Sequence, residues 1–229
     1  MTITTCVFDA YGTLFDVSAA AREAAAEPGQ ERLAEKWQEV AGHWRAKQLQ
    51  YTWIRALAGA HTDFWTVTTQ ALDWALEATE LAGDQALKDR LLELYRELAA
   101  YPEVPDVLAA LRSAGRHTAI LSNGSPAMLD AAVHSAGIED LLDAVLSVET
   151  VGVFKPDHRV YDLVGEHFGC PREEVLFVSS NGWDVAAAAG YGFRTLWANR
   201  NHEPVDRLPW TPEHVMDDLR GMPDIVEQG

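Results

Sequence analysis

Five short apolar runs constrain this chain more than any other feature. They lie at residues 3–8, 117–121, 144–148, 175–179 and 193–197. Each has the length of one strand, and their apolar character is nearly continuous rather than alternating. That is the pattern of strands buried on both faces, as in a parallel sheet. A weaker sixth run lies at 214–216. Helical signals fill the spaces between them. Pro105, Asp106, Val107 and Leu108 open a stripe that Leu111 continues and Gly115 ends. Ser125 followed by Pro126 predicts a cap and a first-turn proline, with the helix running to Gly137. Asp157 opens another, carrying Val160, Leu163 and Val164, and a short helix is expected before Gly190. Strand–helix alternation of this kind predicts an α/β fold, Rossmann-like and doubly wound around a mostly parallel sheet.

One interval breaks the rhythm. About a hundred residues separate the first strand, ending at Asp9, from the second, near His117. A crossover between parallel strands needs only about a dozen residues. Leu33, Trp37, Val40 and Trp44 recur at helical spacing, Tyr51, Ile54 and Leu57 extend the pattern, and Leu87, Leu91, Leu94, Tyr95 and Leu98 form a second stripe. The chain is therefore expected to divide into a core, residues 1–15 and 99–229, and a helical cap inserted at residues 16–98. Trp37, Trp44, Trp53, Trp65 and Trp74 fall in the insertion. Packing is the simplest account of them, and lining an apolar pocket or a dimer face is the other.

Composition narrows the function. The chain has 229 residues, 48% hydrophobic and 23% charged, which suits an ordinary globular protein. Lysine and arginine number 18 against 35 aspartates and glutamates, a net charge of −17. Such a surface is a poor partner for nucleic acid and for anionic membranes. The first residues lack the basic head of a signal peptide, and no apolar run is long enough to span a bilayer. Two cysteines, Cys6 and Cys170, make neither a disulfide framework nor a CxxC pair, so a reducing cytoplasm is expected. HExxH, Walker A and GxSxG motifs are absent, Gly190-Tyr191-Gly192 lacks the third glycine of a dinucleotide loop, and the histidines show no metal-ligand spacing.

In open α/β sheets, ligands bind beyond the carboxyl ends of the strands. The first run delivers Asp9, Ala10, Tyr11, Gly12 and Thr13, the second Ser122, Asn123, Gly124 and Ser125. The loop after the third delivers Lys155, and the fourth delivers Ser179, Ser180, Asn181, Gly182, Trp183 and Asp184. A lone aspartate after a strand is usually a cap or a turn residue. Two carboxylates, a lysine, hydroxyls and an amide from four successive strand ends are hard to obtain from packing needs alone.

These same stretches resemble the haloacid dehalogenase-like hydrolases, and within them the L-2-haloacid dehalogenases. The resemblance covers nearly the whole chain, including the cap stretch from Trp44 to Trp53. Most of that superfamily are magnesium phosphatases, with a general-acid aspartate two positions after the nucleophile and a metal-binding aspartate after the fourth-strand glycine. Here those positions hold Tyr11 and the Ser179-Ser180 pair. Both departures match the dehalogenase subgroup, so no metal and no cofactor are expected. The resemblance implies that Asp9 attacks the halogen-bearing carbon of an L-2-haloacid with inversion, expels halide and forms an ester that water hydrolyses to a D-2-hydroxy acid. Lys155 offsets the negative charge, Asp184 orients water with Asn181, Thr13 binds an oxygen of Asp9, and Ser179 supports the site. Ser122 and main-chain donors near Tyr11 and Asn123 take the substrate carboxylate. Arg45 and Asn123 take the halide. Ala10, Phe64, Tyr161 and Trp183 are expected against the substrate, although Tyr161 and Trp183 also read as core, Thr13 as a helix cap and Arg45 as a solvated side chain. The resemblance also implies a homodimer acting on a small-molecule 2-haloacid. A magnesium-dependent phosphatase and a catalytically inactive binding protein are the alternatives.

Overall fold

A computed structural model of the protein describes residues 2–228. The strands are β1 (Thr5–Phe8), β2 (His117–Ser122), β3 (Ala144–Ser147), β4 (Val175–Ser179), β5 (Arg194–Ala198) and β6 (His214–Met216). They form one six-stranded sheet in the order β3-β2-β1-β4-β5-β6, and each pairing is parallel. All six expected runs are strands, with ends shifted by a residue or two. Ile3, Val7, Phe8, Ile120, Leu121, Phe177 and Val178 are buried, as continuous apolar runs require when helices cover both faces.

The register sets the chemistry. Phe8 is opposite Ile120 on one side and Val178 on the other, so Asp9, Ser122 and Ser179 emerge along one edge of the sheet. The Asp9 N–H still donates to Val178 O at 2.8 Å, which fixes the backbone of the residue just past the strand.

The helices are α1 (Ala19–Ala25), α2 (Glu31–Ala34), α3 (Trp37–Ala58), α4 (Phe64–Ala78), α5 (Gln85–Arg96), α6 (Val104–Ser113), α7 (Pro126–Ala136), α8 (His158–Phe168), α9 (Gly182–Tyr191) and α10 (Met222–Gln228). Helices α1–α5 fall in the long interval after β1. Asp63 and Asp84 cap α4 and α5 by accepting from Thr66 N and Leu87 N, and Asp157 caps α8 by accepting from Arg159 N. Ser125 has the extended backbone of a cap before Pro126, yet its hydroxyl makes no capping bond.

The helix before Gly190 continues through it and stops at Gly192, whose φ of +110° ends it. Gly190 serves close approach instead. A Cβ there would lie 2.5 Å from Trp210 Cδ2, so the indole packs directly on the helix backbone.

Packing accounts for most of the inserted tryptophans. Trp44 is buried and its Nε1 donates to Thr68 O at 2.9 Å, tying α3 to α4. Trp37 and Trp65 pack at the margin of the core. Trp53 instead meets Trp183 edge-on at 5.4 Å, joining α3 to the start of α9.

Candidate active site

The loop after β1 is a tight turn built on Ala10. Its carbonyl accepts from the N–H groups of Thr13, Leu14 and Phe15 at 3.2, 2.9 and 3.1 Å. Gly12 adopts φ +91°, and a Cβ there would lie 3.0 Å from Ser180 Oγ, so this position needs glycine twice over. The turn brings Thr13 back beneath Asp9. Asp9 is buried, with Oδ2 accepting from Thr13 Oγ1 and Asn181 Nδ2, each at 3.1 Å, and Oδ1 accepting from Lys155 Nζ at 3.1 Å.

Lys155 is 1% exposed and bridges the two acids of the site, donating to Asp9 Oδ1 and, at 2.9 Å, to Asp184 Oδ2. Its ammonium also lies 4.9 Å over the Phe177 ring. Burial pulls the ammonium down, but Asp184 and Asp9 outweigh it and hold the group above its usual range. Asp184 is fully buried and its carboxyl is raised, by burial first and by the Asp9 charge, against the lowering effects of Lys155 and the Tyr161 hydroxyl. Tyr161 donates to Asp184 Oδ1 at 2.7 Å, and burial beside that carboxylate pushes its phenol well above the usual range. It remains a proton donor.

Two further strand ends complete the enclosure. Ser122 Oγ accepts from Gly124 N at 3.1 Å, which leaves its own proton for an acceptor in the site. Asn123 Oδ1 accepts from Lys155 N at 3.0 Å, which turns the Asn123 amide nitrogen away from that loop. From α3, Arg45 donates through Nη2 to Tyr11 O at 3.0 Å and Asn181 Oδ1 at 2.9 Å. Both acceptors are neutral. Among the described residues no carboxylate pairs with Arg45, so its charge is available to an anion.

The structure thus brings together Asp9, Ala10, Tyr11, Thr13, Arg45, Ser122, Asn123, Lys155, Asn181 and Asp184. Ser179 sits one step back, accepting from Asn181 N at 3.1 Å and so orienting that amide. Tyr161 is fully buried and supports Asp184 through its hydroxyl. Phe64 is a buried wall 5.9 Å from the Tyr11 ring, and Tyr11 stacks on Tyr95 at 5.6 Å. Trp183 lines a cleft of about 850 Å³ whose walls include Gly12, Asp16, Arg45, Asn181 and Arg200. Arg45 and Asn181 face this cleft while touching the atoms around Asp9, so they mark the passage between the two.

Residues 3–192 match the profile of the haloacid dehalogenase-like hydrolases. The chain belongs to that family. This hydrolase is 42% identical over 224 residues to (S)-2-haloacid dehalogenase 1 of Pseudomonas sp. (strain CBS-3), covering 98% of this chain and 96% of the relative. Its fold superposes on a crystal structure of an L-2-haloacid dehalogenase with TM-score 0.91 at 41% identity, covering 99% and 100% of the two chains. It superposes with TM-score 0.85 at 37% identity on the L-2-haloacid dehalogenase of Xanthobacter autotrophicus with chloropropionic acid covalently bound, covering 99% of each.

Several residues of this hydrolase's site escape a reading of spacing alone. Ser180 N donates to Thr13 Oγ1 at 2.8 Å, so the hydroxyl that donates to Asp9 is itself held. Arg200 Nη2 donates to Thr13 O at 2.9 Å, Nη1 pairs with the buried Glu103 at 2.7 Å, and the guanidinium stacks on Tyr101 at 3.7 Å. Arg200 lies just past β5, so the strand-end rule that found Asp9 and Ser122 also points to it. In the helical segment, Gln48 Nε2 donates to Thr68 Oγ1 at 2.9 Å and Tyr95 OH at 3.1 Å, fixing the ring beneath Tyr11. Gln48 follows Arg45 by about one helical turn, but nothing in its residue type signals this role.

Proposed function

We propose that this chain hydrolyses L-2-haloalkanoic acids to D-2-hydroxy acids and halide, a reading in which residues 16–98 act as a cap on the core formed by 1–15 and 99–229. The observation that carries it is the array around Asp9: a carboxylate backed by one buried ammonium, with an arginine opposite that has no acidic partner among the described residues. A desolvated, aligned carboxylate is a competent nucleophile. Asp9 attacks the carbon bearing the halogen from the side opposite that bond. The C–O bond forms as the C–halogen bond breaks, halide leaves with the bonding pair, and the carbon inverts. Arg45 and the Asn123 amide donate to the departing halide. Ser122 and the N–H groups near Tyr11 and Asn123 take the substrate carboxylate, and Ala10, Phe64 and Trp183 pack on its apolar part.

Charge decides whether the complex forms. Two anions about 4 Å apart repel by roughly 4 kcal/mol at an effective dielectric near 20. Lys155 and Arg45 offset this. In the second half, water adds to the Asp9 carbonyl carbon as Asp184 takes one of its protons; the ester C–O bond at that carbon breaks, Asp184 returns that proton to the departing alkoxide oxygen, and the hydroxy acid leaves as Asp9 loses the second water proton to solvent and regains its carboxylate. The raised Asp184 carboxyl is the stronger base for that step. Thr13, Ser179 and Asn181 hold the two carboxylates in register.

The residues do not fit a magnesium ion. Tyr11 and Ser180 stand where phosphatases supply carboxylates, and Lys155 occupies oxygens of both remaining acids. In a cytoplasmic homodimer, exposed Ile54 and Leu57 on α3 are the apolar surface for a second copy. Chloride release from L- and D-2-chloropropionate, with and without EDTA, tests the proposal. The L-acid is expected to turn over with EDTA present and Asp9→Asn to be inert; absence of chloride from the L-acid sinks the reading.

A further inference from the structure

We infer that His61 and Glu149 form a latch that fixes the apolar wall of the cap against the core loops holding the substrate carboxylate, and so sets the chain length accepted. The inference rests on the dehalogenase reading above. His61 lies in the short connection between α3 and α4, and its Nε2 meets Glu149 Oε2 at 2.9 Å, in the turn after β3. Three residues beyond His61, Phe64 opens α4 and faces Tyr11. The His61 ring lies 4.7 Å from Phe154, which lies 6.3 Å from Phe64 and immediately precedes Lys155.

Glu149 is coupled to the substrate loop through its own turn. Its N–H donates to Ser147 Oγ at 3.2 Å, Ser147 Oγ donates to Gly124 O at 2.6 Å, and Gly124 N donates to Ser122 Oγ. One side-chain hydrogen bond therefore joins the segment bearing the Phe64 wall to the loop bearing Ser122 and Asn123. Side-chain exposures of 23% and 24% keep the bond largely out of water. His61 Nδ1 and Glu149 Oε1 are buried without another partner among the described residues. Loss of either residue therefore strands the other. Neither touches reacting atoms, so both are positioning residues. An apolar pocket separates substrates differing by one methylene by roughly 10–200-fold, provided its wall is held at a fixed distance from the carboxylate donors.

The test is the ratio of kcat/KM for L-2-chlorobutyrate to that for L-2-chloropropionate, in the full-length protein. In His61→Ala and in Glu149→Ala the ratio is expected to rise at least three-fold, through KM for the longer acid, and to rise no further in the double variant. His61→Arg, which keeps an N–H donor opposite Glu149, should leave it near the wild-type value. If an alanine variant does not fold, His61→Phe and Glu149→Leu keep the bulk, delete the bond and carry the same expectation. An unmoved ratio, or changes that add in the double variant, overturns the latch alone. A wild-type chain that releases chloride from neither acid overturns the dehalogenase reading and the latch with it.

Discussion

Replacing Lys155 with methionine keeps most of the apolar stem and deletes the charge that holds Asp9 and Asp184 side by side. At separations near 3 Å and an effective dielectric near 20, each carboxylate gains about 5 kcal/mol of attraction from the ammonium. Much of that gross gain offsets the cost of burying three charged groups. Removing one partner of a buried pair typically costs about 3–5 kcal/mol, because the remaining charges stay buried without compensation. For a chain of this size that corresponds to a fall in Tm of roughly 6–20 °C near neutral pH. The loss carries a sign in pH. The Asp184 carboxyl is already raised by burial, and loss of Lys155, which lowers it, raises it further. The folded variant then holds a proton that the unfolded chain has released, so its stability falls as pH rises above the unfolded carboxyl range. Urea denaturation of wild type and variant at pH 5 and pH 8 measures this directly, and the deficit should be larger at pH 8. Lys155→Arg, which keeps the charge, should recover part of it. A Lys155→Met protein within 1 kcal/mol of wild type at pH 8 would refute the view that the ammonium holds the two acids together.

The other expectations are narrower. Tyr161→Phe removes a hydrogen bond that lowers the Asp184 carboxyl, so the acid limb of ester hydrolysis should move to higher pH; a bond to a charged group is worth about 1.5–3 kcal/mol, so single-turnover rates on the acid side should fall roughly 10–100-fold. Gly12→Ala places a side chain at φ +91° and 3.0 Å from Ser180 Oγ, and strain of about 1–3 kcal/mol in the turn that carries Thr13 should lower kcat more than it raises KM. With a net charge of −17 the protein repels its anionic substrate at long range, so a non-halide salt should lower KM by screening, and a steep rise would count against the picture.

The sheet was legible because its signals are local. A strand buried on both faces must be apolar throughout, and a residue at or just past its end must face the ligand edge, so Asp9 and Ser122 could be read in advance, and Lys155 and Asp184 could be read from the loops that follow β3 and β4. Arg45 could not be read from spacing: an arginine on an amphipathic helix looks solvated until the two neutral acceptors at Tyr11 and Asn181 are seen, and only the family resemblance singled it out. Tyr161 was ambiguous because an apolar helix stripe is the same whether its phenol faces a substrate or a buried carboxylate. Gly190 carried a stop signal, but the fold uses it to admit Trp210. His61 and Glu149 lie 88 positions apart, and no periodicity links them.

The central position of β1 has a consequence for how the molecule is made. Asp9 directly follows β1, a strand synthesised before its neighbours, which pairs on one side with β2 and on the other with β4, beginning at Val175. At about 5–20 residues per second, roughly ten to thirty seconds pass before both neighbours exist. During that time Ile3, Val7 and Phe8 have no sheet to enter, and the helices that follow are synthesised without the surface they will cover. A stall or a cleavage before β4 therefore leaves β1 as a sticky segment with one edge unpaired rather than part of a smaller folded unit, and a carboxylate that is hydrated, mobile and chemically inert.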